Sequence, residues 1–153
     1  MKLLPANAEG AFAIKGPGMF SGYLWPFQKA ANILHKSWFL TGDIATIDED
    51  GFVIISGREK SVINISGNKV FPEEVETVIR LHPAISDVRV FSGQHKLTGE
   101  IVEAEIVLKN NTAVTGPEII SFCREHLSGM KIPHRIKFVN QIPNTKTGKT
   151  SST

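Results

Sequence analysis

In the stretch Ser66-Gly67-Asn68-Lys69-Val70-Phe71-Pro72-Glu73-Glu74-Val75-Glu76-Thr77-Val78-Ile79 the chain declares a strand, a turn and a helix in quick succession. The apolar run Val62–Ile65 just before it reads as a strand, closed by a glycine turn at Ser66-Gly67-Asn68. Pro72 has a fixed φ and no N–H, which suits the first turn of a helix. Glu73, Glu74 and Glu76 then fall near the positive end of the helix dipole. Val75, Val78, Ile79 and Leu81 recur at helical spacing as an apolar stripe, and His82-Pro83 ends the helix.

Toward the carboxyl end, Ile85–Phe91 and Ile101–Leu108 read as strands, the second alternating Val102, Ala104, Ile106 and Leu108. The polar, glycine-containing residues 92–100 read as their connection. Gly116-Pro117 opens a helix over 117–127, Lys131-Ile132-Pro133 breaks the chain, and Ile136–Val139 makes a last strand. Residues 59–153 thus predict a small two-layer α+β domain. Toward the amino end the chain is β-rich. Ala11–Lys15 is a strand closed by Gly16-Pro17-Gly18, and Ile44–Asp48 with Phe52–Ser56 flank the hairpin signal Glu49-Asp50-Gly51. A short helix over Phe27–His35 would bring Trp38 and Phe39 inward. The strands of this segment have no evident partners in the chain, which predicts an open-ended piece.

A length of 153 residues with 41% hydrophobic side chains suits one ordinary domain, or the end of one domain plus a small complete one. The balance of 17 basic against 15 acidic residues is too mild for a nucleic-acid surface. Cys123 is the sole cysteine, which excludes an internal disulfide and a cysteine-based zinc site, and its place on the apolar side of the second helix predicts burial. The histidines lack metal-ligand spacing, so no metal site is expected. The first residues are too soon interrupted by Pro5 for a signal sequence, and no apolar run approaches the roughly 20 residues of a membrane span. The expectation is a soluble, cytoplasmic chain without a membrane span.

Five positions and a hinge could carry chemistry. Asp43, on the turn Thr41-Gly42-Asp43, could accept two hydrogen bonds from adjacent hydroxyls such as those of a ribose, or simply hold a strand entry as an Asx turn. Arg58 follows a strand in Gly57-Arg58-Glu59-Lys60, and a hairpin could return it near Asp43. Its planar donors suit ribose or phosphate oxygens, or a surface ion pair with Asp43 or Glu59. Lys60 and Ser61 lie between the two halves, a natural hinge. Gly67 and Lys69 sit on the turn toward the Pro72 helix, where exposed N–H groups suit an anion, although capping explains the glycine equally. Lys149, in Pro143-Asn-Thr-Lys-Thr-Gly-Lys149, offers a point charge for a phosphate or ends in solvent.

The ordered set of motifs resembles the adenylate-forming (AMP-binding) enzyme superfamily, of the acyl- and aryl-CoA synthetase type, in its carboxyl-terminal portion only. The set runs Gly16-Pro17, Gly22-Tyr23, Trp38-Phe39-x-Thr41-Gly42-Asp43, Asp50-Gly51-Phe52 and Gly57-Arg58-x-Lys60. It continues through Ser66-Gly67-x-Lys69-Val70-x-Pro72-x-Glu74-Val75-Glu76, Gly99-Glu100, Lys131-Ile132-Pro133 and Pro143-x-Thr145-x-x-Gly148-Lys149. The resemblance implies that residues 1–57 are the closing β subdomain of a large amino-terminal domain. Residues 58–153 would be the compact, mobile two-layer α+β AMP-binding domain.

The resemblance also implies a two-step reaction, in which a carboxylic acid attacks ATP to give an acyl-adenylate and the acyl group then passes to CoA. The parent would use ATP, Mg2+ and CoA, and none of these is expected bound to this portion. Asp43 and Arg58 would hold ribose hydroxyls, Lys69 would lie near the reacting phosphate, and Lys60 would be the hinge. Gly67 would line a pantetheine tunnel, and Lys149 would be the catalytic lysine of adenylation. Lys131 before Ile132-Pro133 resembles the CoA-ligase form more than the peptide-synthetase form. The alternatives are an adenylation domain that loads a carrier-protein phosphopantetheine and a non-catalytic binding remnant. Without the larger domain the chain is expected to be inactive, and open strand edges would allow strand-mediated pairing of two copies. Departures from the pattern are Thr150 and Ser152 where an aliphatic residue and an arginine are usual, Asn64 in place of a frequent lysine, and Ser61 in place of an acidic residue.

Overall fold

The computed structural model describes residues 2–97 and 99–143, so Lys149 and Gly148 lie outside the described residues. The chain divides into two compact units, Met1–Lys60 and Ser61–Thr153.

The first unit is built on a three-stranded sheet of order β1-β4-β5, from β1 (Gly10–Ile14), β4 (Phe39–Ile47) and β5 (Val53–Arg58). Between them come the small ribbon β2 (Gly22–Tyr23) with β3 (Gln28–Lys29) and the one-turn helix α1 (Ala30–Ile33). The hairpin predicted at Asp50-Gly51 forms, because Asp48 turns its carboxylate back onto the Asp50 and Phe52 N–H groups at 3.0 and 2.8 Å. Two expectations change. β1 pairs antiparallel with β4, so the strands of this unit do find partners within the chain. The helix predicted over Phe27–His35 shrinks to four residues, because Gln28 and Lys29 are drawn into the ribbon opposite Tyr23 and Gly22. Trp38 and Phe39 are half-buried rather than central, with Phe39 edge-on to Phe20 at 5.2 Å.

The second unit is a two-layer α+β fold. Its sheet has the order β10-β9-β8, from β8 (Ile85–His95), β9 (Gly99–Leu108) and β10 (Arg135–Phe138), antiparallel between β8 and β9 and parallel between β9 and β10. A small hairpin, β6 (Ile63–Ile65) with β7 (Asn68–Val70), precedes the helix α2 (Pro72–Arg80). The second helix, α3 (Gly116–His126), starts at a capping box in which Thr115 and Glu118 bond reciprocally. Val75 and Ile79 of α2, Ile119 and Cys123 of α3, and Val88, Val102 and Ile106 of the sheet close into one core with Ile63 and Val70.

The opposite face of the sheet is polar. Across it run the pairs Arg89–Glu105, Lys137–Glu105 and Arg135–Glu103 at 2.8, 3.6 and 2.9 Å. Residues 92–100, read from sequence as a connection, are mostly strand: β8 runs to His95 and β9 starts at Gly99, each held by its partner rather than by local propensity. Leu81 belongs to no apolar stripe; it lies one residue past the helix and is exposed.

Candidate functional site

The site grows from the end of the β4–β5 hairpin. In the register set by Thr46↔Ile54 and Ala45↔Ile55, Asp43 would face Gly57. One extra residue on β5, at Ser56, shifts the register so that Asp43 and Arg58 become direct cross-strand partners. A bulge of this kind re-aims a side chain without lengthening the sheet. Directly opposite residues share a face of an antiparallel pair, so the two side chains meet. Arg58 Nε lies 2.9 Å from Asp43 Oδ1, with the aspartate side chain 19% and the arginine side chain 53% exposed.

Thr41 holds this pair in place. Its Oγ1 donates to the Phe12 carbonyl on β1 at 3.1 Å and accepts from the Asp43 N–H at 3.1 Å. Its own carbonyl accepts from Arg58 Nη1 at 3.2 Å. Thr41 therefore fixes the backbone of the aspartate and the guanidinium of the arginine together. In the sequence Thr41 stands in the Thr41-Gly42-Asp43 motif with no role of its own evident. The signal was the hydroxyl two residues before an acidic residue, the spacing at which threonine bonds the following backbone. The outcome is a carboxylate acceptor beside a planar donor fork on two paired strands. That arrangement can accept hydrogen bonds from two vicinal hydroxyls while donating to their oxygens.

The remaining candidates are distributed over the two units. Lys60, exposed, stands in a single 3-10 turn, Glu59–Ser61, at the division of the chain. Gly67 and Lys69 belong to the second unit, and their setting differs from the sequence reading. The turn closes the β6–β7 hairpin instead of feeding the helix, and Lys69 is a strand residue opposite Asn64. Ser66 and Gly67 both have positive φ, 49° and 86°, which a two-residue hairpin turn of the primed type requires. Gly67 and Lys69 are exposed, and the Glu100 carboxylate anchors this hairpin to β9 by accepting the Asn64 N–H at 2.6 Å. Lys131 is engaged with Glu74 of α2 at 2.6 Å, a role that fastens the segment after α3 to α2.

Burial pushes the Cys123 thiol up to about 11, so it stays a neutral core group and offers no nucleophile. Among the described residues no group of three His, Cys, Asp or Glu could hold a metal ion. A cavity of about 340 Å³ in the first unit is lined by Leu3, Leu4, Phe12, Trp38 and Ile47, without Asp43 or Arg58. Among the described residues no helix is long and apolar enough to cross a membrane.

Comparison with known proteins gives a consistent set of relatives. Residues 74–149 match the family described as AMP-binding enzyme C-terminal domain. YdaB of Bacillus subtilis strain 168, provisionally named an acyl–CoA ligase, is 39% identical over 146 residues, 95% of this chain and 29% of its own length. The long-chain-fatty-acid–CoA ligase of Yersinia pestis is 36% identical over 140 residues, 92% of this chain and 25% of its own. The oxalate–CoA ligase of Saccharomyces cerevisiae is 34% identical over 149 residues, 96% of this chain and 27% of its own. The chain therefore spans between a quarter and three tenths of the length of these relatives. Among solved structures, o-succinylbenzoate CoA synthetase from Bacillus subtilis, in complex with its acyl-adenylate intermediate, superposes with a TM-score of 0.87 at 27% identity, over 96% of this chain and 30% of that one. The amide bond synthetase McbA from Marinactinospora thermotolerans gives 0.85 at 30% identity, over 98% and 31%.

Proposed function

The chain belongs to the adenylate-forming (AMP-binding) superfamily and matches its carboxyl-terminal portion, and from that premise we propose that it serves an AMP-forming acid–CoA ligase. In the first step a carboxylate oxygen of the acid attacks the α-phosphorus of ATP, the bond to the β-phosphate breaks, and pyrophosphate leaves. In the second, a CoA thiolate attacks the acyl carbon, the thioester forms, and AMP leaves with the electrons of the broken acyl–oxygen bond. Relatives named as CoA ligases for fatty, oxalic and succinylbenzoic acids support CoA as the acceptor. The amide bond synthetase among the structural neighbours marks an amine as the second acceptor class.

The observation that carries this reading is the Asp43–Arg58 pair braced by Thr41. In the reading, the Asp43 carboxylate accepts from both ribose hydroxyls of the nucleotide, and Arg58 swings its exposed guanidinium onto the ribose or phosphate oxygens. Lys60 supplies the hinge, which the division of the chain at Lys60–Ser61 supports. Residues 1–57 would close the larger domain, Arg58 stays with them through its strand pairing to Asp43, and the residues beyond the Lys60 hinge would be the part that turns. Lys69 lies near the phosphate in one orientation, and exposed Gly67 lets the pantetheine arm pass close to the backbone in the other. Lys149 would neutralise charge on the α-phosphate during the first step and withdraw for the second. Among the described residues no cluster of carboxylates or histidines fits Mg2+.

The test separates the steps. In the full-length parent, Lys149→Ala should lower ATP–pyrophosphate exchange by about a hundredfold or more. Thioester formation from supplied acyl-adenylate should stay near the parental rate. Equal loss of both steps overturns the role of Lys149, and exchange with no thioester formed on CoA overturns the acceptor.

A further inference from the structure

The ribbon formed by β2 and β3 carries a feature that nucleotide chemistry leaves unused. Its tip, Leu24-Trp25-Pro26-Phe27, presents Leu24 at 91%, Trp25 at 92% and Phe27 at 71% exposure. The base of the ribbon is anchored: Tyr23 packs on Phe20 at 5.2 Å, and Phe20 meets Phe39 at 5.2 Å. An apolar wedge therefore stands on a fixed base with its large side chains almost wholly in solvent. The sequence on either side of it carries charge of one sign. From Gly10 to Gly42 the sequence has no acidic residue, while Lys15, Lys29 and Lys36 all lie within that stretch and are exposed. Glu9 and Asp43 bound it on either side.

We propose that this tip inserts into the boundary between headgroups and acyl chains of an anionic lipid bilayer, with the acid-free basic stretch drawing it to the surface. Tryptophan is the side chain most at home at that boundary, since its ring is apolar and its N–H still reaches water. Leucine and phenylalanine flank it and would enter the acyl layer, a shallow insertion that needs no spanning helix. A protein partner fits less well. Two aromatics of about 150–250 Å² each and one leucine supply less than the roughly 800 Å² per side of a stable protein interface. Cationic side chains at an anionic surface strengthen association by about fivefold each and lose that gain in salt.

The 153-residue chain is mixed with vesicles of phosphatidylcholine, with and without phosphatidylglycerol, and bound protein is measured by sedimentation. A Trp38→Phe background lets Trp25 fluorescence and its quenching by brominated lipid report depth. Binding to anionic vesicles with Trp25 quenched is expected, and Trp25→Ser with Phe27→Ser should weaken it at least about tenfold. Lys29→Gln should weaken it about fivefold and flatten its salt dependence. Because these side chains are exposed, the circular dichroism of each variant should match the parent, which separates lost binding from lost fold. Absence of binding to anionic vesicles, or binding that the tip variant leaves intact, overturns the proposal. So does binding that Ile54→Ser removes and the tip variant does not. A tip variant that converts a dimer to a monomer, with no vesicle binding in either form, would assign the tip to a second copy instead.

Discussion

The two units spend similar apolar sequence in opposite ways. In Ser61–Thr153 the strand and helix residues Ile63, Val70, Val75, Ile79, Val88, Val102, Ile106, Ile119 and Cys123 all fall to zero exposure in a single closed core. In Met1–Lys60, among the described residues, only Ile44 and Ala45 count as buried apolar side chains, while Phe52, Ile54 and Ile55 remain 59–70% exposed. The difference lies in layering. Among the described residues the second unit has two helices to lay on one face of its sheet, whereas the sheet of the first has a single one-turn helix for company. Ile54 and Ile55, successive on strand β5, point to opposite faces, and both stay in water because neither face has a covering layer among the described residues. Lys60 stands where one regime gives way to the other.

The strongest way to break this contrast is to make the same deletion in each unit. Ile106→Ala, at a site with zero exposure, should cost about 2–5 kcal/mol of stability. Ile54→Ala, at 61% exposure, should change stability by less than about 0.5 kcal/mol. Urea unfolding followed by circular dichroism measures both. A cost at Ile54 as large as at Ile106 would mean that the exposed strand β5 is buried in solution.

A pH experiment sharpens the contrast further, since the only thiol belongs to the closed core. Burial raises the Cys123 thiol from 9.0 to about 11. The unfolded chain therefore releases this proton near pH 9, and the folded chain keeps it until about pH 11. In that window the unfolded state binds fewer protons, so stability falls as pH rises, by up to about 2–3 kcal/mol. The difference between the parent and Cys123→Ala isolates the thiol from the lysines that titrate nearby. A pH-independent difference from pH 8 to 11 would mean that the thiol is open to water in the folded state.

What the sequence made legible was whatever has a local cause. Helix α2 could be read from Pro72, the early glutamates and the Val75–Ile79 spacing, all of which act within two turns. Leu81 extended the same spacing one residue beyond the helix, where periodicity continues but the backbone does not. Strand β7 is three residues long, too short for alternation to show, although Ser66-Gly67 already had the form of a two-residue hairpin turn. The outer ends of β8 and β9 were hidden because pairing, rather than propensity, makes Gly93, Gln94 and His95 strand residues. At the site, Asp43 and Arg58 could be matched through the Asp50-Gly51 hairpin. The bulge at Ser56 that puts them opposite each other could not, since register is decided by both strands together.

The smallest predicted effect compares one substitution at two turn glycines of nearly equal φ. Gly51 in the first unit has φ 87° and Gly67 in the second has φ 86°, and a Cβ added at either meets nothing within 4 Å. Alanine at each position therefore carries the same local cost, about 1–2 kcal/mol for holding an L-residue in the left-handed region, with no steric addition. Any difference between the two variants then reports on the unit around the turn. Gly67→Ala should lower the cooperative unfolding transition of the closed-core unit by about 1 kcal/mol, because the hairpin it closes contributes Ile63 and Val70 to that core. Gly51→Ala should leave that transition unmoved, because its hairpin contributes nothing to the core cluster. Hydrogen exchange resolved by unit distinguishes the two: faster exchange confined to residues of β4 and β5 is expected for Gly51→Ala. Equal destabilisation of the closed core by both variants would show instead that the two units unfold as one.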